Sequence, residues 1–370
     1  MDPLRIGIVL NYKEAEKKKD ELMRIDKYDW LKNTEEHFII LRKRKPHIPA
    51  DVAIGKYIEN MYDNVIIDYI VPDEISTRRF KQNDIVFVII YDLLECFHLS
   101  DTVRFNKFKN ALKNSNNIYP PYKYQKFINN KCTYYKYLAD HEIPVAPTHC
   151  VSKDKWFTRN KNQYTQKIID KVKNNGWKSI IAKPVYGQEA IDFAKFKGCS
   201  KTKSLQCNKA KMKKYFSRTV EHYKDIVVQE YIEGFDKENP EIRAYFINGA
   251  YMYCIITTET IVATPIQEGG KFKLSNEKYN YLRYFTQEVM DTLPKLDLPG
   301  DLANPILTRI DVGSGLKGVP YEYFINEIEF VPSLYIEDHN EPVVERIGDS
   351  LVKVGNIYKS IDQLPVEVFF

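Results

Sequence analysis

Apolar and charged residues alternate most tightly over residues 307–336. Two strand-like arms flank the sequence GSGLKGVP, whose glycines and proline predict a hairpin turn. Gly313, Gly315 and Gly318 also fit the dinucleotide pattern G-x-G-x-x-G, but that pattern has meaning only between a strand and a helix. A strand-like segment follows these glycines, so we reject the dinucleotide interpretation.

Closing this hairpin would bring three carboxylates together. Side chains repeat with a period of two along a strand, so Leu307, Arg309 and Asp311 share one face of the first arm. Glu327 and Glu329 share one face of the second arm. Three carboxylates at close quarters repel one another, and a hard divalent cation is the usual counter-charge. The alternative is a solvated face of an antiparallel sheet.

The first third of the chain shows strands that alternate with helices. This order indicates an α/β layer with a mainly parallel sheet, which we end near Pro120 and Pro121. The predicted elements are a strand at 5–10, a Lys/Glu-rich helix that runs through Met23, strands at 38–41, 65–71 and 84–91, and a helix at 54–61.

The remaining elements come from helical spacing and from short apolar runs. Asn248-Gly249 is the strongest hairpin signal in the chain. Lys183 closes an apolar strand, where a lysine standing alone could simply extend to solvent. We predict helices at 131–139, 164–174, 282–292 and 345–358, and strands at 179–184, 226–232, 241–248 and 250–257.

Composition places the chain among ordinary globular proteins. Its 370 residues are 44% hydrophobic and 28% charged, and this length allows two or three modules. The longest apolar run, residues 85–90, is too short to span a bilayer, and the first residues lack the pattern of a secretory signal. We therefore expect a cytoplasmic protein without a membrane partner. Six cysteines without a C-x-x-C pair argue against zinc and against a disulfide framework.

Basic residues concentrate in residues 195–224, although the net charge of +5 does not by itself indicate nucleic acid. A helical pattern there has an apolar side formed by Leu205, Met212, Tyr215, Phe216 and Val220, which leaves the lysines mainly outside. We favour a solvated face over an anionic substrate or nucleic acid.

Five motifs in order resemble the ATP-grasp superfamily of carboxylate-amine ligases, of the type of D-alanine–D-alanine ligase and glutathione synthetase. They cover roughly residues 129–336 and are NKCTYYKYLADHEIPVAPT, IIAKP, VVQEYIEG, EIRAYFING, and RID followed by NEIEFVP. The resemblance implies an N-terminal α/β domain before an ATP-grasp fold of two α+β subdomains that enclose the nucleotide. The expected divisions are 1–120, 121–234 and 235–370.

The resemblance also implies roles for individual residues. Lys131 and Lys183 would bind the ATP phosphates, and Asp311, Glu327 and Glu329 would bind Mg²⁺, with two ions expected. Arg243 and Arg309 would stabilise charge on the transferred phosphoryl group and on the later oxyanion. The adenine edge would be held by Glu230 and by the backbone of Tyr231 and Ile232. The ribose would be held by Glu233 or Glu241, and the sequence does not choose between them.

The implied reaction uses ATP to convert a substrate carboxylate into an acyl phosphate, from which an amine displaces phosphate. Small molecules or peptides would supply both groups. An ATP-grasp kinase acting on a polyphosphate and an inactive nucleotide-binding module are the alternatives.

Two features depart from the family pattern: Glu329 replaces an asparagine and could favour a tighter or second metal, and the loop after Lys183 has a single glycine. Glu337, Asp338 and His339 could reach an incoming amine.

Overall fold

The computed structural model describes residues 2–10, 21–88, 102–186, 192–197, 208–235, 239–257, 262–263, 273–330 and 333–361. The strands are β1 Leu4–Val9, β2 Leu22–Arg24, β3 Ile40–Arg42, β4 Lys45–Pro49, β5 Val65–Ile70, β6 Ile85–Phe87, β7 Ile118–Tyr119, β8 Thr148–Ser152, β9 Ser179–Pro184, β10 Ala194–Lys197, β11 Asp225–Glu230, β12 Glu241–Ile247, β13 Ala250–Thr257, β14 Val262–Ala263, β15 Leu307–Ser314 and β16 Tyr323–Glu329. The helices are α1 Ala50–Met61, α2 Thr77–Phe80, α3 Thr102–Lys113, α4 Tyr122–Ile128, α5 Lys131–Asp140, α6 Lys153–Thr158, α7 Lys161–Asn174, α8 Lys209–His222, α9 Asn276–Thr292 and α10 Val343–Ile361.

Residue contacts divide the chain into two units. The first unit consists of Met1–Gln125, Ile242–Ile310 and Glu329–Phe370, and the second of Lys126–Glu241 and Asp311–Ile328. The three sequence-based divisions stay a prediction.

The first unit contains a parallel sheet of order β5-β1-β6-β7. Its strands are apolar because helices cover them: α1 and α10 both pack against β1. On the other side, α2 and α3 contribute Phe80 and Phe108 to a buried cluster that includes Val86 and Ile118. A small antiparallel sheet, β2-β4-β3, accompanies this layer. The predicted N-terminal α/β layer is confirmed.

A second, five-stranded sheet has the order β14-β13-β12-β15-β16. Asn248 and Gly249 join β12 to β13 with φ of 50° and 79°, as the predicted hairpin requires. Gly249 is needed there because a Cβ atom would lie 2.5 Å from the Asn304 amide nitrogen. The predicted hairpin over residues 307–336 forms β15 and β16, which are neighbours in this sheet.

The second unit is built on an antiparallel sheet of order β10-β9-β11-β8. Apolar residues of α6, α7 and α8 pack on it and bury Trp156, Ile169 and Phe216 completely. The alternating burial of β9 follows from this one-sided cover.

Several sequence expectations are wrong in detail. The Lys/Glu-rich helix does not run through Met23, which lies in β2, and residues 11–20 of that prediction lie outside the described residues. The strand predicted at 38–41 starts at Ile40, because a 3₁₀ turn occupies Glu36–Phe38. The strand predicted at 226–232 ends at Glu230. Residues 89–91 of the strand predicted at 84–91 also lie outside the described residues.

The cysteine expectation is also corrected. Cys132 and Cys150 form a disulfide that joins α5 to β8. Spacing along the chain could not reveal this pair, since the fold brings together two residues 18 positions apart. Cys254 is a buried free thiol, and burial raises its pKa to about 12.

Across the part of the chain that the structure describes, no helix is both long and apolar enough to cross a membrane.

Candidate functional site

Three carboxylates meet on the neighbouring strands β15 and β16. Asp311 lies in β15, and Glu327 and Glu329 lie in β16. One carboxylate oxygen from each residue lies within 4.8 Å of the others. Asp311 is almost completely buried, whereas Glu327 is half-buried. This is the cluster that closing the predicted hairpin would create.

Two of these carboxylates already have cationic partners. The Lys131 ammonium lies 2.6 Å from Glu327 Oε1, and the Arg309 guanidinium lies 2.8 Å from Glu329 Oε2. The sequence predicted a counter-charge for the acidic cluster, and for these two carboxylates the structure shows a lysine and an arginine in that role. Glu329 does not simply add one negative charge to the cluster, because Arg309 offsets it.

The donor set nevertheless fits a hard divalent cation. Mg²⁺ prefers oxygen ligands at about 2.1 Å, so two of its ligands lie at most about 4.2 Å apart. The carboxylate oxygens of the cluster lie within 4.8 Å of one another, which is close to this span. The assignment of Asp311, Glu327 and Glu329 to metal stays a prediction.

Lys131 stands at a rigid position. It is the first residue of α5, which is capped by the Asn130 side chain accepting a hydrogen bond from the Thr133 amide. The Lys131 amide donates to the Val185 carbonyl, and the adjacent Cys132 is disulfide-bonded to Cys150. These contacts fix the main chain, so the side chain is the part of Lys131 that can move.

Lys183 is held by the same helix. Its ammonium donates to Tyr135 Oη at 3.0 Å, and that hydroxyl in turn donates to the Asn326 carbonyl. Tyr135 lies four residues after Lys131 and hence on the same side of α5. The two lysines predicted to bind phosphates are both linked to β16, Lys131 through Glu327 and Lys183 through Tyr135.

The residues predicted to hold adenine follow the end of β11. Burial raises the pKa of the Glu230 carboxyl. The Tyr231 amide donates a hydrogen bond to the Ser179 carbonyl. The Lys195 ammonium lies over the Tyr231 ring, 3.0 Å from the ring centroid. Ile232 is buried against Ala146 and Phe324. The predicted adenine contacts remain untested.

The two candidates for the ribose differ in environment. Glu233 is exposed and lies 4.0 Å from the Lys178 ammonium. Glu241 is half-buried and accepts a hydrogen bond of 2.6 Å from the Asn326 amide. Asn326 therefore links Glu241 to Tyr135, and the choice between the two acids stays open.

Arg243 lies in β12 of the first unit and is oriented by an aromatic residue. Its guanidinium donates to Tyr335 Oη at 2.7 Å. Tyr335 has a φ of 52°, a left-handed conformation that is uncommon for a bulky residue. Residues keep such an uncommon backbone conformation where surrounding contacts hold them in place. The hydrogen bond from Arg243 is one such contact of Tyr335.

Glu337 and His339 are engaged within the first unit rather than presented to a substrate. Glu337 accepts hydrogen bonds from the Arg24 amide and the Lys27 ammonium. His339 Nδ1 accepts from the Glu341 amide, so Nε2 carries the proton and donates to the Leu334 carbonyl. Burial lowers the pKa of His339. These contacts favour a structural role for both residues over the contact with an amine that the sequence suggested.

The basic stretch is described in part. In α8, Met212, Tyr215, Phe216 and Val220 are buried, as the helical pattern predicted, whereas Leu205 lies outside the described residues. The exposed side carries Lys211, Lys214 and Arg218, and Arg218 lies 3.2 Å from Asp192.

Sequence reasoning missed Tyr135, Asn326 and Tyr335. Each positions a predicted site residue through a hydrogen bond. Tyr135 could have been found from its spacing of four from Lys131 along a helix. Asn326 and Tyr335 carried no signal, because their partners come from distant parts of the chain.

Known structures match almost the whole chain. D-cycloserine synthetase DcsG aligns over 95% of this chain and 99% of its own, with a TM-score of 0.62 and 11% identity. D-alanine–D-alanine ligase from Bacillus anthracis, complexed with ATP, aligns over 96% and 99%, with a TM-score of 0.56 and 11% identity. The ATP-grasp ligase PsnB, complexed with a minimal precursor, aligns over 95% and 99%, with a TM-score of 0.51 and 11% identity.

The chain has the ATP-grasp fold. The fold that the five motifs predicted is therefore confirmed, as is the fold class. No protein-family model matches the sequence, and no curated protein matches it. At 11% identity the ATP-grasp fold is what the three structures share with this chain, and the reaction must be argued from its own residues.

Proposed function

We propose that the protein is an ATP-dependent ligase that joins a carboxylate to an amine through an acyl phosphate and releases ADP and phosphate. The carboxylate cluster of Asp311, Glu327 and Glu329 on an ATP-grasp fold is the observation that carries this proposal. A D-alanine–D-alanine ligase of this fold is complexed with ATP, and PsnB, at a TM-score of 0.50, is complexed with Mg and ADP.

The cluster supplies the ligands for magnesium. We propose that Asp311, Glu327 and Glu329 would hold two Mg²⁺ ions. The metal would offset charge on the phosphates of ATP and orient them. Since Glu327 and Glu329 are paired with Lys131 and Arg309, loading requires these side chains to share or exchange their partners.

The lysines serve the nucleotide. Lys131 and Lys183 would bind its phosphates, a role that suits compact point charges. Tyr135 keeps Lys183 directed by accepting its hydrogen bond. The remaining nucleotide contacts are proposed for Glu230, Tyr231, Ile232, and either Glu233 or Glu241.

The reaction consists of two displacements. A carboxylate oxygen of the first substrate attacks the γ-phosphorus, and the bond to ADP breaks. The amine nitrogen then attacks the acyl carbon, phosphate leaves, and the nitrogen loses a proton. Arg309 and Arg243 would stabilise negative charge during these steps, where fixed cations in a water-poor site are most effective. Burial of Arg309 supports this role.

A kinase acting on a polyphosphate is the second candidate. The exposed cations of α8, Lys211, Lys214 and Arg218, favour it because a polyanionic substrate needs several positive partners. The ligase releases the γ-phosphoryl group of ATP as free phosphate, whereas the kinase leaves it on the substrate.

The experiment that tests the proposal follows ADP, AMP and free phosphate separately. Purified protein is incubated with ATP and Mg²⁺ against a pool of amino acids, amines, short peptides and small carboxylic acids. ADP and phosphate that appear only when an acid and an amine are both present would establish a ligase. ADP formed without free phosphate would favour the kinase. ATP binding without turnover across the pool would favour a macromolecular acceptor or an inactive module.

A further inference from the structure

Lys131 and Glu327 form an ion pair in the second unit that is largely shielded from water. Their charged atoms lie 2.6 Å apart, and the two side chains are 6% and 18% exposed. Asp311, whose carboxylate belongs to the same cluster as that of Glu327, is buried in this unit as well. The Lys131 ammonium therefore neutralises the charge of Glu327, one of the three carboxylates that we assign to metal binding.

An ammonium and a metal ion compete at this position. A carboxylate oxygen that accepts a hydrogen bond from Lys131 has less charge to offer a cation, and the ammonium repels that cation directly. Shielding strengthens both effects, because charges interact more strongly where water is excluded. The lysine stem is flexible, whereas its main chain is fixed by the cap of α5 and by the hydrogen bond to Val185. Lys131 can therefore leave Glu327 without any movement of the helix.

We infer that Lys131 is a built-in counter-ion of Glu327 that a divalent metal displaces when the site is loaded. This inference rests on the metal site of the proposed function and adds a coupling to it. Metal binding frees the ammonium for an anion such as a nucleotide phosphate. By reciprocity, an anion that holds the ammonium raises the affinity of the carboxylates for metal. Metal and phosphate thus load together rather than independently.

The test measures Mn²⁺ affinity without nucleotide, by titration calorimetry or by the spin resonance of free Mn²⁺. Four proteins are compared: wild type, Lys131→Met, Lys131→Arg and Lys183→Met. Lys131→Met should bind Mn²⁺ about tenfold more tightly than wild type, since one repelling charge is removed close to the ion. Lys131→Arg keeps the charge and should stay near wild type. The Lys183 ammonium donates to the Tyr135 hydroxyl and not to a carboxylate of the cluster, so Lys183→Met frees no metal ligand and its effect should be smaller.

The results separate cleanly. Tighter binding confined to Lys131→Met supports the counter-ion. Unchanged or weaker binding in Lys131→Met overturns it, as does equal tightening in Lys183→Met. Absence of Mn²⁺ binding in every protein removes the metal site and the counter-ion with it. None of these measurements uses ATP turnover, so a failure of the ligase proposal in the substrate assay would be seen separately.

A second measurement uses the wild-type protein and does not depend on how a variant folds. Mass spectrometry follows reductive methylation of individual lysines with and without Mg²⁺. Methylation of Lys131 should rise several-fold with Mg²⁺, because the displaced ammonium becomes accessible, while Lys183 serves as the internal reference. Methylation of Lys131 that does not respond to saturating Mg²⁺ would contradict the displacement.

Discussion

Arg309 Nη2 lies 2.8 Å from Glu329 Oε2, and the two side chains are only 6% and 10% exposed. A buried pair of this kind couples the two residues strongly, because neither charge can turn to water when its partner is lost. In the motif resemblance, Glu329 stands where the ATP-grasp pattern has asparagine. In this structure the Glu329 carboxylate binds Arg309, the arginine to which we assign stabilisation of charge during the reaction.

Breaking this pair on one side should destabilise the fold. Glu329→Gln removes the charge that the buried Arg309 guanidinium faces, and we expect a loss of about 3 kcal/mol in the free energy of unfolding. Urea denaturation of wild type, Glu329→Gln and Arg309→Met/Glu329→Met gives the comparison. The double variant should be more stable than Glu329→Gln. A single variant as stable as wild type would show that the pair contributes nothing.

Removing one carboxylate from the cluster should abolish turnover without unfolding the protein. Asp311→Asn is nearly isosteric but loses the charge that a metal needs, so ATP consumption should fall about a hundredfold or more. The exposed Asp301 offers a matched control, since Asp301→Asn makes the same chemical change away from the cluster. Undiminished turnover in Asp311→Asn, with an unchanged melting temperature, would remove Asp311 from the metal site.

The disulfide should stabilise the second unit. It closes a loop between Cys132 and Cys150, which are 18 residues apart, and such a loop is worth about 3 kcal/mol in the chain-entropy description. Urea unfolding with and without a reducing agent measures this contribution in the wild type. The stability of Cys150→Ser should already equal that of the reduced protein and should not respond to the reductant. An identical response of both proteins would mean that the loss comes from elsewhere.

His149 should make stability depend on pH. Burial and the neighbouring Lys171 and Lys155 lower its pKa from 6.5 to about 4, and its Nδ1 accepts a hydrogen bond from the Lys171 ammonium. Between these two values the unfolded chain binds a proton that the folded chain does not. Stability therefore falls as the pH decreases from about 6.5 to about 4.

The measurement for His149 compares unfolding free energies at the two ends of this range. His149→Asn cannot take up the proton, so its stability should fall less than that of the wild type over the same interval. An equal fall in both proteins would assign the pH dependence to other groups.

The sequence by itself determined several of the elements that carry site residues, and the order of the motifs. Period-two and helical patterns fixed β9, β13 and α5 to within a residue, because each reflects which side of a local element is buried. The five motifs in their order, among them those around Lys183 and Asp311, were sufficient to predict the ATP-grasp fold. The two arms of β15 and β16 were also sufficient to predict which carboxylates would meet.

Only the tertiary structure decided how those carboxylates are neutralised. The partner of Glu327 is Lys131, which is nearly 200 positions away, and no local pattern links the two residues. The same holds for the contacts of Asn326 with Tyr135 and Glu241, and for the disulfide between α5 and β8. Local patterns report which positions are buried, because each residue's own hydrophobicity indicates whether it avoids water. Charge pairing depends on which distant side chains the fold places within a few ångströms of each other.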